Sequence, residues 1–167
     1  MYLALATRPD IAYAIAVLSC FGVNPGSAHW EAVKRVFKYL KGTKELWLTY
    51  GMFEGGERLL GYSDADGNMA EDHHAISGCV FLIDGGTITW SSKKQDIVSL
   101  STTESKYVVA AHSVKEALWL KSLISQIFEP LTYPIEILCN NQSAIALTQD
   151  YQYHACSKHI DIHFHFI

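Results

Sequence analysis

Residues Ile137 to Leu147, ILCNNQSAIAL, decide the fold class. Ile135, Ile137 and Cys139 alternate with Glu136 and Leu138 as a half-buried strand does, and Gln142 to Gln149 then follows helical spacing. Two asparagines stand at the corner between them. A strand opening directly into a helix is the unit of layered α/β proteins, and the strand's carboxyl end is where such proteins place reactive groups. The residue at this corner is an amide rather than a carboxylate.

The same alternation of elements continues outward. Upstream, Arg58 to Ser63, Gly78 to Ile83 and Thr87 to Ser91 read as strands, the last two joined at the turn residues Asp84-Gly85-Gly86. Ser101 opens a long helix that runs to Phe128 and stops before Pro130, and Ser157 to Ile167 is a further helical segment. The order β-β-β-α-β-α-α predicts an α/β, or α+β layered, domain over residues 58–167. Residues 51–57 are a glycine-rich linker. Residues 1–50 read as a helical hairpin: Pro9 and Asp10 open a helix bearing Ile11, Ala14, Ile15 and Leu18. Ser27 opens a second helix with Trp30, Val33, Phe37 and Leu40 on one stripe. Leu46 to Tyr50 reads as a short strand.

Composition sets the outer limits. A chain of 167 residues, 49% hydrophobic and 18% charged, is long enough for a real core. A net charge of -4 excludes nucleic-acid binding by overall charge, so any such partner needs a local patch. Lys34, Lys38 and Lys41, with Arg35 and Lys44 nearby, supply one on the second helix, although a solvated helix face is the simpler reading of them. Ile11 to Val23 is too short to cross a bilayer. Cys20, Cys79, Cys139 and Cys156 form no C-x-x-C pair, and the chain starts without a basic region before an apolar one. The setting expected from this is cytoplasmic or nuclear, not secreted.

Three groups carry candidate chemistry. Asp64 lies at the end of the strand in LLGYSDAD, on the face of Leu60 and Tyr62, with Asp66 beyond it. Glu104 stands three residues after Ser101, where a capping box alone accounts for a carboxylate. Cys156, His159 and His163 have spacings that suit Zn²⁺, but a fourth ligand is not evident.

The segments GYSDAD, SGCVFL, SLSTTESKY, CNNQSAIAL and SKHIDIHFHFI occur in the order seen in one family. The chain resembles the ribonuclease H domain of copia-type LTR retrotransposon polyproteins, preceded by the tail of the reverse transcriptase (RPDIAYAIAVLS, NPGSAHWEAVKRVFKYLKGT). The resemblance implies a sheet of order 3-2-1-4-5 and a two-metal site that hydrolyses the RNA strand of an RNA/DNA hybrid. Asp64 and Glu104 match two of its carboxylates. The third position is Asn140, the amide of the opening stretch, and the last strand and helix, with the fourth carboxylate, are expected to be missing after Ile167. Lys106 stands where relatives have an acid, and Gly67 where they have tryptophan. Arginine is expected at Cys20, Cys156 and His163. The substitutions of arginine, of the acid at 106 and of aspartate at 140 each need a single C-to-T change, as in a silenced element.

Two divalent ions ~4 Å apart repel by ~4 kcal/mol even at the dielectric constant of water. Asp64 and Glu104 alone offset that poorly, so Mg²⁺ is expected weakly at most and no cofactor is required. The expected function is therefore that of a non-catalytic, retrotransposon-derived protein acting through protein contacts. A residual nuclease or hybrid-binding module is the alternative, and a translated relic without selected function a third. The strand Ile135 to Cys139 would be an open edge, presented by Ile135, Ile137 and Cys139, and filled by Leu46 to Tyr50, by a second copy or by a partner strand.

Overall fold

The computed structural model describes residues 1–51, 58–66, 74–99, 101–128 and 130–149. In chain order the elements are α1 (Tyr2–Ala6), a 3-10 turn (Pro9–Ile11), α2 (Ala12–Ser19), α3 (Ser27–Gly42), β1 (Leu59–Asp66), β2 (His74–Ile83), β3 (Gly86–Val98), α4 (Thr102–Ile127), β4 (Glu136–Cys139) and α5 (Gln142–Gln149). The strands form one mixed sheet in the order β3-β2-β1-β4. β1 is antiparallel to β2 and parallel to β4, with Ser63 paired to both Cys79 and Cys139. The chain is a mixed α/β protein with helices flanking a four-stranded sheet.

The β2–β3 turn follows from its sequence. Asp84 and Gly85 both adopt positive φ, 49° and 75°, between the paired residues Ile83 and Gly86. Two central residues of that conformation match the twist of a tight hairpin, and Asp-Gly tolerates it. Both strands outrun their expected ends, β2 starting at His74 and β3 reaching Val98. Ser91 to Gln95 has little strand propensity of its own, and cross-strand pairing overrides it.

α4 covers one face of the sheet. Leu59, Phe81, Ala117, Leu120 and Ile124 form the main core, with Ile135 and Ile137 of the β4 segment packed against it. Gly61 makes room for this: a Cβ there would lie 2.6 Å from the Phe81 ring. A second cluster, Tyr107, Val108 and Ala111, joins α4 to Leu147 of α5, and burial pushes the Tyr107 hydroxyl pKa up. At the start of α4, Ser101 Oγ accepts the Glu104 amide at 3.1 Å, which is the expected cap. Buried Gln95 donates to Ser77 Oγ and to the Ser105 carbonyl, both at 2.9 Å, tying that first turn to β2 and β3.

The N-terminal 50 residues differ from expectation in three ways. The helix expected from Pro9 begins as the 3-10 turn and continues as α2, and a further short helix, α1, precedes it, ended before Pro9, which cannot donate to a continuous ladder. Trp30 and Phe37 are exposed while Val33 and Leu40 are half-buried, since α3 packs mainly on α2 and one neighbour shields only a narrow stripe. Leu46 to Tyr50 forms no strand. It lies instead against the β2–β3 hairpin, where Tyr50 donates to the Thr87 carbonyl at 2.9 Å and its ring fills the space beside Gly86.

Arg8 fastens this region. Its guanidinium donates to Asp10 Oδ1 at 2.9 Å and Oδ2 at 2.7 Å, and to Thr43 Oγ1 at 2.6 Å, and lies 5.6 Å from the centre of the Tyr39 ring. The Arg8 hydrogen bond holds the Asp10 carboxyl below its ordinary pKa, and Asp10 in turn raises that of Arg8. The segment also docks on the sheet through Trp90, whose indole donates to the Ala4 carbonyl at 2.6 Å. The linker 52–57, the SDAD-following residues 67–73 and the final segment 150–167, with Cys156, His159 and His163, lie outside the described residues.

Candidate functional site

Gly61, Ser63 and Ala65 of β1 turn toward α4 and are buried, so Tyr62, Asp64 and Asp66 turn toward the opposite face. Asp64 and Asp66 belong to the strand itself, which runs three residues beyond Ser63. Asn140 directly follows Cys139, the last β4 residue paired with β1. Its place beside Asp64 thus follows from register. Glu104 is buried in the first turn of α4.

Lys106 joins these elements. Its ammonium donates to Asp64 Oδ1 at 2.5 Å and to Asn140 Oδ1 at 2.5 Å. The lysine side chain is 15% exposed and that of Asp64 63%. The two asparagines of the corner have separate tasks. Asn140 accepts from Lys106, whereas Asn141 Oδ1 accepts the Ala144 amide at 2.9 Å and caps α5. Sequence reasoning singled out position 106 as a substitution, but its reach to both strand ends follows only from the packing of α4 on β1.

Asp64 and Asn140, but not Lys106 or Glu104, line a cleft of about 600 Å³. Its far wall is Pro9, Ala12 and Tyr13, so the N-terminal segment contributes to the site. Burial, and then Asp66, raises the pKa of the Tyr13 hydroxyl. An ammonium stands between Asp64 and Asn140, and among the described residues no three of His, Cys, Asp and Glu are grouped to hold a metal ion. The residues present do not fit a paired Mg²⁺ centre.

Lys34, Arg35, Lys38, Lys41 and Lys44 are exposed on and just after α3, and none of them lines the cleft. Lys34 is paired with Glu31 at 2.5 Å. β4 has β1 as its single neighbour among the described strands. Ile135, Ile137 and Cys139 face inward and are half-buried, while Leu138 faces out. The outward charge of Glu136 is engaged by Arg58. Filling of this edge by Leu46 to Tyr50 is excluded, because Tyr50 is bonded to β3 on the other side of the sheet.

Comparison with known proteins agrees with the arrangement of motifs. The chain is 44% identical, over its whole length, to a retrovirus-related Pol polyprotein from transposon TNT 1-94 of Nicotiana tabacum, and 38% identical over 99% of its length to that of transposon RE2 of Arabidopsis thaliana. It spans 12% and 11% of those polyproteins. It is also 44% identical, over 72% of its length, to secreted RxLR effector protein 161 of Plasmopara viticola, of which the match covers 84%. No protein-family model and no solved structure matches. The chain belongs to the copia-type retrotransposon Pol polyprotein family. The expectation of a cytoplasmic or nuclear, non-secreted chain is corrected by the effector: a relative this similar carries the name of a secreted protein, so cysteine usage and the first residues do not fix the compartment. No helix among the described residues is long and apolar enough to cross a membrane.

Proposed function

We propose that this retrotransposon-derived chain has a ribonuclease H-like fold, does not hydrolyse RNA/DNA hybrids, and acts through contacts with other proteins. The order β3-β2-β1-β4 supports the fold, being the order the resemblance implies for the first four strands. Asp64 near the end of β1 and Glu104 in the first turn of α4 support the derivation of the site. The observation that carries the loss of activity is the environment of Asp64, where an amide and an ammonium stand in place of further carboxylates. Hydrolysis through paired metals requires negative charge at those positions.

The interaction surface in this reading is the outer edge of β4 with the preceding Ile135, formed by the backbone of Ile135 to Cys139, and the occupant is a strand from a second copy or a partner. A second reading, weak hybrid binding, is favoured by the exposure of Lys34, Arg35, Lys38, Lys41 and Lys44 on one helix and its end. The deciding experiment incubates the purified chain with labelled RNA/DNA hybrid in Mg²⁺ or Mn²⁺. No cleavage is expected from the natural sequence or from Asn140→Asp. Turnover that disappears in Asp64→Asn overturns the proposal.

A further inference from the structure

We propose that Lys106 is the resident cation of this site: its ammonium takes the place of a metal ion between the ends of β1 and β4, so that Lys106 and a divalent ion exclude one another. The inference rests on reading Asp64, Glu104 and Asn140 as a former cation site. The parallel ladder between these strands ends at the pair Ser63 and Cys139. Asp64 and Asn140 follow immediately, and there the link is made by one ammonium, 2.5 Å from an oxygen of each. An ammonium has three donors and no acceptor, so two convergent oxygens suit it as they would a hard metal ion.

The lysine is held for this task. Its side chain is 15% exposed and rises just after the first turn of α4, which Ser101 caps and Gln95 fastens through the Ser105 carbonyl. It is therefore a tethered charge at high local concentration, not a surface lysine that meets Asp64 by chance. A divalent ion about 4 Å from the retained ammonium would bind ~30-fold more weakly than beside a neutral residue, taking even the dielectric constant of water. The strand ends consequently stay joined without metal.

The test measures Mn²⁺ binding by calorimetry and thermal midpoint at low ionic strength on the full chain, comparing the natural sequence with Lys106→Met. The natural sequence is expected to show no change in midpoint with Mn²⁺. Lys106→Met is expected to melt lower without metal, to regain stability with Mn²⁺, and to bind it at least ~30-fold more tightly. Adding Asp64→Asn should remove that gain. Equal Mn²⁺ affinity in the two chains overturns the proposal, as does a Lys106→Met chain whose stability and metal response are both unchanged. Should Lys106→Met not fold, the natural chain alone decides: selective paramagnetic broadening of Asp64 and Asn140 signals by submillimolar Mn²⁺, of a size about expected for a dedicated site, refutes it, and unbroadened signals support it. Mn²⁺ binding by the natural chain without hydrolysis sinks this inference alone, whereas hydrolysis sinks the functional reading.

Discussion

Gly61→Ala is expected to destabilise the sheet through one identifiable collision. Gly61 is paired with Phe81 on one side and Ile137 on the other, so it sits where β2, β1 and β4 meet. A Cβ at this position would stand 2.6 Å from Phe81 Cε1, 3.1 Å from Cδ1 and 3.2 Å from Cζ. The ring is 0% exposed and packed against Leu59, Ala117, Leu120 and Ile124, so it has no open space to enter. Overpacking of this kind costs about 1–3 kcal/mol. With a urea slope of about 2 kcal/mol/M, a 2 kcal/mol loss lowers the unfolding midpoint by about 1 M. Phe81→Leu alone costs about 1–2 kcal/mol through lost burial. It also removes the ring atoms that meet the new methyl. The double variant should therefore be more stable than the sum of the single losses predicts, by about 1 kcal/mol. Urea unfolding followed by circular dichroism measures all four chains. A neutral Gly61→Ala, or strict additivity with Phe81→Leu, would refute the assignment of Gly61 to close packing rather than to backbone freedom.

Asp10 ties stability to acid pH. Its folded carboxyl pKa is held down by the Arg8 hydrogen bond, so its contribution is present above the ordinary carboxylate value of about 4 and is lost as pH falls through the lowered folded value. The difference in thermal midpoint between the natural chain and Asp10→Asn should be widest near neutrality and vanish in strong acid; a gap independent of pH would contradict this. Hybrid binding should be weak and salt-sensitive, with log affinity changing by about -0.9 per log salt for each phosphate neutralised, and Lys38→Glu should flatten that slope. Binding unchanged in Lys38→Glu would remove α3 from the interface. Ile137→Pro should abolish any association through β4, read by light scattering, provided circular dichroism shows the sheet intact. A stable monomer of the natural sequence, with freely exchanging amides at 136–139, would eliminate the edge as an interface.

Much of the sheet was legible because its signals are local. Asp84-Gly85 dictates a tight turn, Ser101 with Glu104 announces the start of α4, and the alternation through Ile135, Ile137 and Cys139 gives the inward face of β4. Errors fell where neighbours decide. Leu46 to Tyr50 has the composition of a strand, but Tyr50 is held by a side-chain bond to Thr87 and the segment joins no ladder. Trp30 and Phe37 have the spacing of a core stripe without enough neighbours to bury them. Arg8 was passed over altogether, since beyond its local partner Asp10 it meets Tyr39 and Thr43 only when α3 folds back.

The site itself was half legible, for a reason that bears on how its substitutions fit together. Asp64, Glu104 and Asn140 could be placed from motif order, and each substitution on its own reads as damage. Side by side they form a balanced set. In the reading proposed above, an amide at 140 spares Asp64 a neighbouring charge that would demand a divalent ion, and the Lys106 ammonium supplies the cation at Asp64. In that same reading, an amide at 140 and the Lys106 ammonium beside Asp64 leave the ends of β1 and β4 with less negative charge than acids at those positions would, and the repulsion between them falls accordingly. An ion pair as open as Lys106 and Asp64 stabilises by only about 0–1 kcal/mol. Its importance lies less in that gain than in the repulsion it prevents. Stability that is indifferent to chelators is thus the expected property of the pair Asn140 and Lys106 acting together, and reverting either position alone would disturb the balance without rebuilding a paired-metal centre.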